Sequence, residues 1–223
     1  MWTDEERLRL KAVDDAIHQR REEAVELADQ FRLKFEGTND FVKLAYAIWR
    51  KAVALRLSKR EEEAAQLFAV AYNTAIDARA FVIAAYIQGD WAAIYRHSDP
   101  GKARAFLYRS THTLRQAMEE GAVAPDPVRS ISADCAFYEA QLAENLYAMG
   151  QRSSARRYVR GAIAVLKQET RGGAERYRQA YILSLWSSVQ VRDRVLRCLL
   201  MAGIKTILWR RKRTLRILIS HRS

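Results

Sequence analysis

The stretch Leu142–Lys167, LAENLYAMGQRSSARRYVRGAIAVLK, decides the fold. Leu142, Leu146 and Met149 recur at helical spacing, and Gly150 then supplies the left-handed backbone that commonly ends a helix. After a short polar turn, Ala155, Val159, Ala162, Ile163 and Leu166 again recur at helical spacing. Alanines at contact positions let two helices approach closely, while bulkier residues fill the space between them. The stretch reads as a helical hairpin.

The composition extends this reading to the whole chain. Of 223 residues, 49% are hydrophobic, with only 9 Gly and 3 Pro. That balance suits a folded helical protein with a sizeable core. No alternating β-branched run bounded by turn residues occurs, so no sheet is expected. Thr3 and Glu6 form a capping box that starts a helix over 3–36 ending at Gly37, unless a break near His18–Arg20 turns it into a hairpin. Asn39 or Asp40 caps a helix over 41–57, and Ser58 with Glu61 suggests a second capping box opening a helix that ends near Asp77. A helix over 79–97 follows, in which Gly89-Asp90 marks a kink. Asp99-Pro100 and Asp126-Pro127 are cap-plus-proline starts, with Gly121 ending the helix between them. Beyond the loop Thr170–Gly173, a helix from Ala174 to about Ala202 and a final one from Ile204 complete the expected series.

The hairpin has copies upstream. Ala24, Ala64, Ala103 and Ala155 are separated by 40, 39 and 52 residues, and the longest interval contains the Gly121–Pro127 connector. Ala143, Gly150, Ala155, Val159 and Ala162 resemble the signature of a tetratricopeptide (TPR) unit: a small residue late in helix A, a turn glycine, then alanine, a bulky residue and alanine in helix B. Ala52 with Ala64, Phe68 and Ala71 is similar, as are Ala103, Leu107 and Ser110, where Trp91 replaces the small residue. The resemblance covers roughly 40–170. It is to a divergent array, because the spacing exceeds the usual TPR length of about 34 residues and Lys167 stands where proline is common.

The resemblance implies an all-α fold, a right-handed α-solenoid of antiparallel helix pairs with about eight to nine helices. Residues 1–38 would form a long helix or capping hairpin, 39–189 the array, and 190–223 a basic amphipathic segment. A generic α-solenoid or an irregular helical bundle is the open alternative. In TPR arrays the helix A side chains line a groove that holds a peptide or helix. The matching positions here are Trp49, Val53 and Arg56, then Gln88, Ala92 and Tyr95, then Ala140, Glu144 and Tyr147. They lack the Lys/Arg/Asn set that clamps a terminal carboxylate, and the alternative is that Trp49 and the tyrosines simply pack in the core.

The net charge of +12 is unevenly spread: residues 190–223 hold ten Lys or Arg against the single acid Asp193, leaving +3 for the other 189 residues. Arg194, Arg197 and Lys205 precede Trp209-Arg210-Arg211-Lys212-Arg213, with Arg216 beyond. Tryptophan among arginines can stack on bases while the cations neutralise phosphates of RNA or DNA. The same segment fits an anionic membrane surface, an acidic partner, self-association, or an extension with no selected role.

No reaction chemistry rises above this background, and no enzyme is expected. His18, His97, His112 and His221 fall in no metal-ligand spacing, and Cys135 and Cys198 stand far apart, so neither metal nor cofactor is expected. Acidic runs such as Glu22-Glu23 and Glu61-Glu62-Glu63 read as solvated helix faces. The acidic Thr3–Glu6 start is unlike a secretory signal, and Leu199–Leu208 is too short to span a bilayer, so a cytoplasmic protein is expected. Three functions follow. The first is an adaptor holding a protein or peptide in the helix A groove. The second is a helical subunit of a nucleoprotein assembly. The third is the sensor module of a peptide-responsive regulator, although no DNA-binding helix-turn-helix before the array is evident.

Overall fold

The computed structural model describes residues 2–19, 22–125 and 130–169, with side chains in the last helix described as far as Ala162. Among the described residues there are eight helices and no strand. They are α1 (Asp4–His18), α2 (Ala24–Leu33), α3 (Phe41–Leu57), α4 (Glu61–Asp77), α5 (Phe81–Tyr95), α6 (Pro100–Glu119), α7 (Ile131–Ala148) and α8 (Arg152–Glu169). Helices α1 to α5 pack in sequence order, with α3 additionally touching α1 and α5, and α7 packs on α8. The chain divides into two compact units, Met1–Thr113 and Leu114–Ser223, with the division inside α6.

The expected long helix over 3–36 is two helices. The Thr3–Glu6 capping box forms, with Thr3 N–H donating to Glu6 Oε2 at 2.7 Å and Glu6 N–H donating to Thr3 Oγ1 at 3.2 Å. The chain then turns after His18 without glycine or proline. Trp2 supplies the reason. Its indole stacks on Phe31 at 5.9 Å and meets Phe35 and Tyr46 edge-on at 5.8 and 5.4 Å. Burying that aromatic cluster requires the start of α1 to lie against the end of α2, which a continuous helix forbids.

The even-numbered helices bury one recurring stripe. In α2 it is Ala24, Ala28, Phe31 and the following Phe35; in α4 it is Ala64, Phe68, Ala71 and Ala75. In α6 it is Ala103, Leu107, Ser110 and Leu114; in α8 it is Ala155, Val159 and Ala162. These side chains form a recurring seam, widened by Thr111 and Ala117 in α6 and by Tyr158 in α8, on otherwise amphipathic helices. Helices α3 and α5 differ. Residues 45–50 and 52–55 of α3 are buried on every face, because α1, α2, α4 and α5 surround it, and residues 83–89 of α5 are buried as well.

One turn connects three of these helix pairs. Ser58-Lys59-Arg60, Ala78-Arg79-Ala80 and Met149-Gly150-Gln151 each place a left-handed residue at their centre, with φ of 62°, 55° and 78°. In each, the N–H after the left-handed residue bonds back five residues: Arg60 to Leu55 at 3.0 Å, Ala80 to Ala75 at 2.8 Å, Gln151 to Leu146 at 2.9 Å. This is the Schellman closure. Ser58 is therefore the end of α3, not the cap of α4, which begins after Arg60 with no side-chain cap. Gly89-Asp90 does not break α5, which runs continuously through it. Asp99 does cap α6, accepting from the Lys102 N–H at 2.9 Å. The expected start at Asp126-Pro127 lies outside the described residues, and α7 begins instead after Ser130, whose hydroxyl accepts from the Ala133 N–H. The helices expected beyond Thr170 also lie outside the described residues.

Candidate binding surfaces

The odd-helix positions divide into enclosed and accessible sets. Trp49 is 0% exposed. Its indole N–H donates to Asp90 Oδ2 at 3.0 Å, its ring stacks on Tyr86 at 5.6 Å, and Tyr46 meets it edge-on at 5.0 Å. Gln88, Val53, Ala92 and Ala140 are also buried. Arg56, Tyr95, Glu144 and Tyr147 are half-buried, near the C-terminal ends of α3, α5 and α7. Tyr95 stacks on Phe106 at 5.8 Å and carries the Lys102 ammonium 3.8 Å from its ring centroid. Tyr147 faces the Arg152 guanidinium at 5.9 Å. Arg56 and Tyr95 belong to the first unit, Glu144 and Tyr147 to the second. Arg194, Arg197, Lys205, Trp209, Arg210, Arg211, Lys212, Arg213 and Arg216 lie outside the described residues.

Two polar features escaped the sequence reading. The first is a cleft of about 560 Å³ between α3, α4 and the Glu22–Asp29 segment that forms most of α2. Val25, Leu55 and Leu67 give it an apolar lining, surrounded by Glu22, Glu26, Asp29, Lys51, Arg60, Glu63 and Gln66. Lys51 donates to Asp29 Oδ1 at 2.6 Å, and Arg32 also reaches Asp29 at 2.8 Å. Burial pushes Asp29 upward, but these two cations outweigh it and hold its carboxyl below the ordinary range. Arg60 grips Glu63 with two bonds of 2.6 Å. The bond from Arg60 leads in keeping the Glu63 carboxyl low. Glu22 and Glu26 are exposed and form no ion pair among the described residues, Glu26 accepting only from Gln30 at 3.4 Å. Only helix pairing reveals the cleft, since the sequence shows Glu22 and Glu26 as surface acids one helical turn apart.

The second feature is a buried carboxylate in the second unit. Glu139 of α7 is 2% exposed, and Arg115 donates to its Oε1 at 2.7 Å. Burial dominates and lifts its carboxyl above the usual value despite that guanidinium. Burial and the neighbouring Glu139 charge push the Cys135 thiol up to about 12, which removes thiolate character at neutral pH. Gly161 of α8 leaves room for the carboxylate: a Cβ there would sit 3.0 Å from Glu139 Oε2. The sequence does not single it out, because α7 also carries Asp134 and Glu144.

Among the described residues, no three His, Cys, Asp or Glu side chains gather into a metal-binding group, and no helix is long and apolar enough to cross a membrane. No protein-family model matches the chain, and no curated protein matches it either.

Proposed function

We propose that the chain is a non-enzymatic TPR-like scaffold, a right-handed solenoid of antiparallel helix pairs that binds a protein or peptide partner in the cytoplasm. The observation that carries this reading is the seam at 24/28/31/35, 64/68/71/75 and 103/107/110/114, recurring at 155/159/162. Units that reuse one packing seam stack in series and present equivalent outer positions to a ligand. In the first unit the partner-facing positions are Arg56 and Tyr95, with enclosed Trp49 and Gln88 holding α3 and α5 in place; in the second unit they are Glu144 and Tyr147.

Affinity capture with nuclease present, followed by identification of the bound protein, tests the proposal. The Arg56→Ala/Tyr95→Ala and Glu144→Ala/Tyr147→Ala variants should each weaken recovery about tenfold, the loss of roughly 1.4 kcal/mol of contact. Full recovery by both variants overturns the groove assignment. A second reading rests on the charge of residues 190–223, ten cations against one acid. It makes the chain a nucleoprotein subunit, and capture that disappears with nuclease favours it.

A further inference from the structure

The cleft between α2, α3 and α4 is separate from the expected groove residues Trp49, Arg56, Gln88, Tyr95, Glu144 and Tyr147, none of which lines it. Its two cations are already committed, Lys51 to Asp29 at 2.6 Å and Arg60 to Glu63 at 2.6 Å. The remaining carboxylates, Glu22 and Glu26, leave the lining with a surplus of negative charge. Between the charged groups lie Val25, Leu55 and Leu67, with the Gln66 amide beside them. A ligand complementary to this arrangement carries a cationic head and an apolar stem. A carboxylate ligand would meet Glu22 and Glu26, and a wholly apolar ligand would strip water from both without replacing its hydrogen bonds.

The geometry points to a docking site for an arginine side chain of an extended peptide segment on a partner protein. The guanidinium sits against Glu22 and Glu26, its methylene stem lies on Val25, Leu55 and Leu67, and Gln66 is placed to bond the peptide backbone. Arginine fits better than lysine because its planar fork can bond two carboxylates at once, and it sheds water more readily. A volume of about 560 Å³ exceeds one side chain and accommodates the residues flanking the arginine.

The test is an amide-resolved NMR titration of the full chain with acetylated, amidated Ala-Leu-Arg-Leu-Ala and with the same peptide carrying neutral citrulline. The arginine peptide should shift the amides of Val25, Glu26, Gln66 and Leu67 in a saturable manner. Citrulline should bind at least about tenfold more weakly, as should the arginine peptide to the Glu22→Gln/Glu26→Gln variant. Both residues are exposed, so that variant should keep the parent's melting temperature. Equal binding of the two peptides, unchanged binding by the variant, or shifts confined to other residues overturns the assignment. So does spermidine shifting the same amides as strongly as the arginine peptide, which would make the cleft a site for free polyamines. Loss of capture by the Arg56/Tyr95 variants does not bear on this result, so the two readings fail separately.

Discussion

At the scale of single residues, Glu139 shows how burial and pairing compete. Its carboxylate is 2% exposed, while the Arg115 side chain remains 49% exposed. Water already solvates much of the guanidinium, so its attraction is screened and the loss of water around the carboxylate dominates. A folded pKa above the unfolded value means that the native state binds the proton more tightly. The associated stability is fully present below the ordinary carboxyl value of 4.5 and is lost as pH rises through the raised value. Glu139→Gln keeps the shape and an acceptor for Arg115 but cannot ionise. In urea unfolding, the variant should match or exceed the parent at pH 7, and its advantage should shrink as pH falls towards 4.5. A variant less stable by several kcal/mol at pH 7 would show that the Arg115 pair outweighs burial. Trp49 teaches a related lesson. The sequence left Trp49 open between a groove and the core, and its full enclosure decides for the core. An apolar helix such as α3 carries no mark of which face meets solvent, and the four helices around it decide that.

At the scale of elements, legibility followed the chemistry of helix ends. The Thr3–Glu6 box, Asp99-Pro100 and the glycines at 121 and 150 announced themselves, because side-chain caps and glycine turns have fixed residue preferences. The turns at Lys59 and Arg79 did not. A long side chain in left-handed backbone carries no sequence signature, so α4 was expected two residues early and no strong breaker marked its end. Both side chains strain a conformation that glycine adopts freely, with φ of 62° and 55°. Lys59→Gly and Arg79→Gly should therefore each stabilise the chain by about 1 kcal/mol, visible as a rise of about 2–4 °C in melting temperature. Gly150→Ala in the equivalent turn should lower stability by a similar amount, with open space around its Cβ leaving backbone strain as the cause. Equal melting temperatures across the three variants would mean that the turns relax out of the left-handed region. The contrast isolates backbone conformation, since the hydrogen bond reaching back five residues has the same form in all three turns.

At the scale of the whole molecule, charge is partitioned more sharply than composition suggests. Residues 190–223 carry ten of the chain's 38 Lys and Arg with a single acid. Cations elsewhere are often neutralised where they stand: Arg7 by Asp4, Arg9 and Lys34 by Glu5, Arg32 by Asp29 and Glu36. Paired charges produce little field beyond a Debye length of about 8 Å in physiological salt, whereas a run of like charges adds along its length. Two variants with identical net charge separate these contributions. One replaces Arg210, Arg211, Lys212 and Arg213 with Gln, and the other replaces Arg7, Arg9, Arg32 and Lys34 with Gln; each falls from +12 to +8. On a heparin column the first should elute at markedly lower salt than the parent, and the second close to it. Retention by the parent should fall steeply with salt, because each cation that neutralises an anionic group releases a condensed counterion. Coincident elution of the two variants would show that net charge alone governs polyanion binding, and the run at 210–213 would then have no special claim on a nucleic acid.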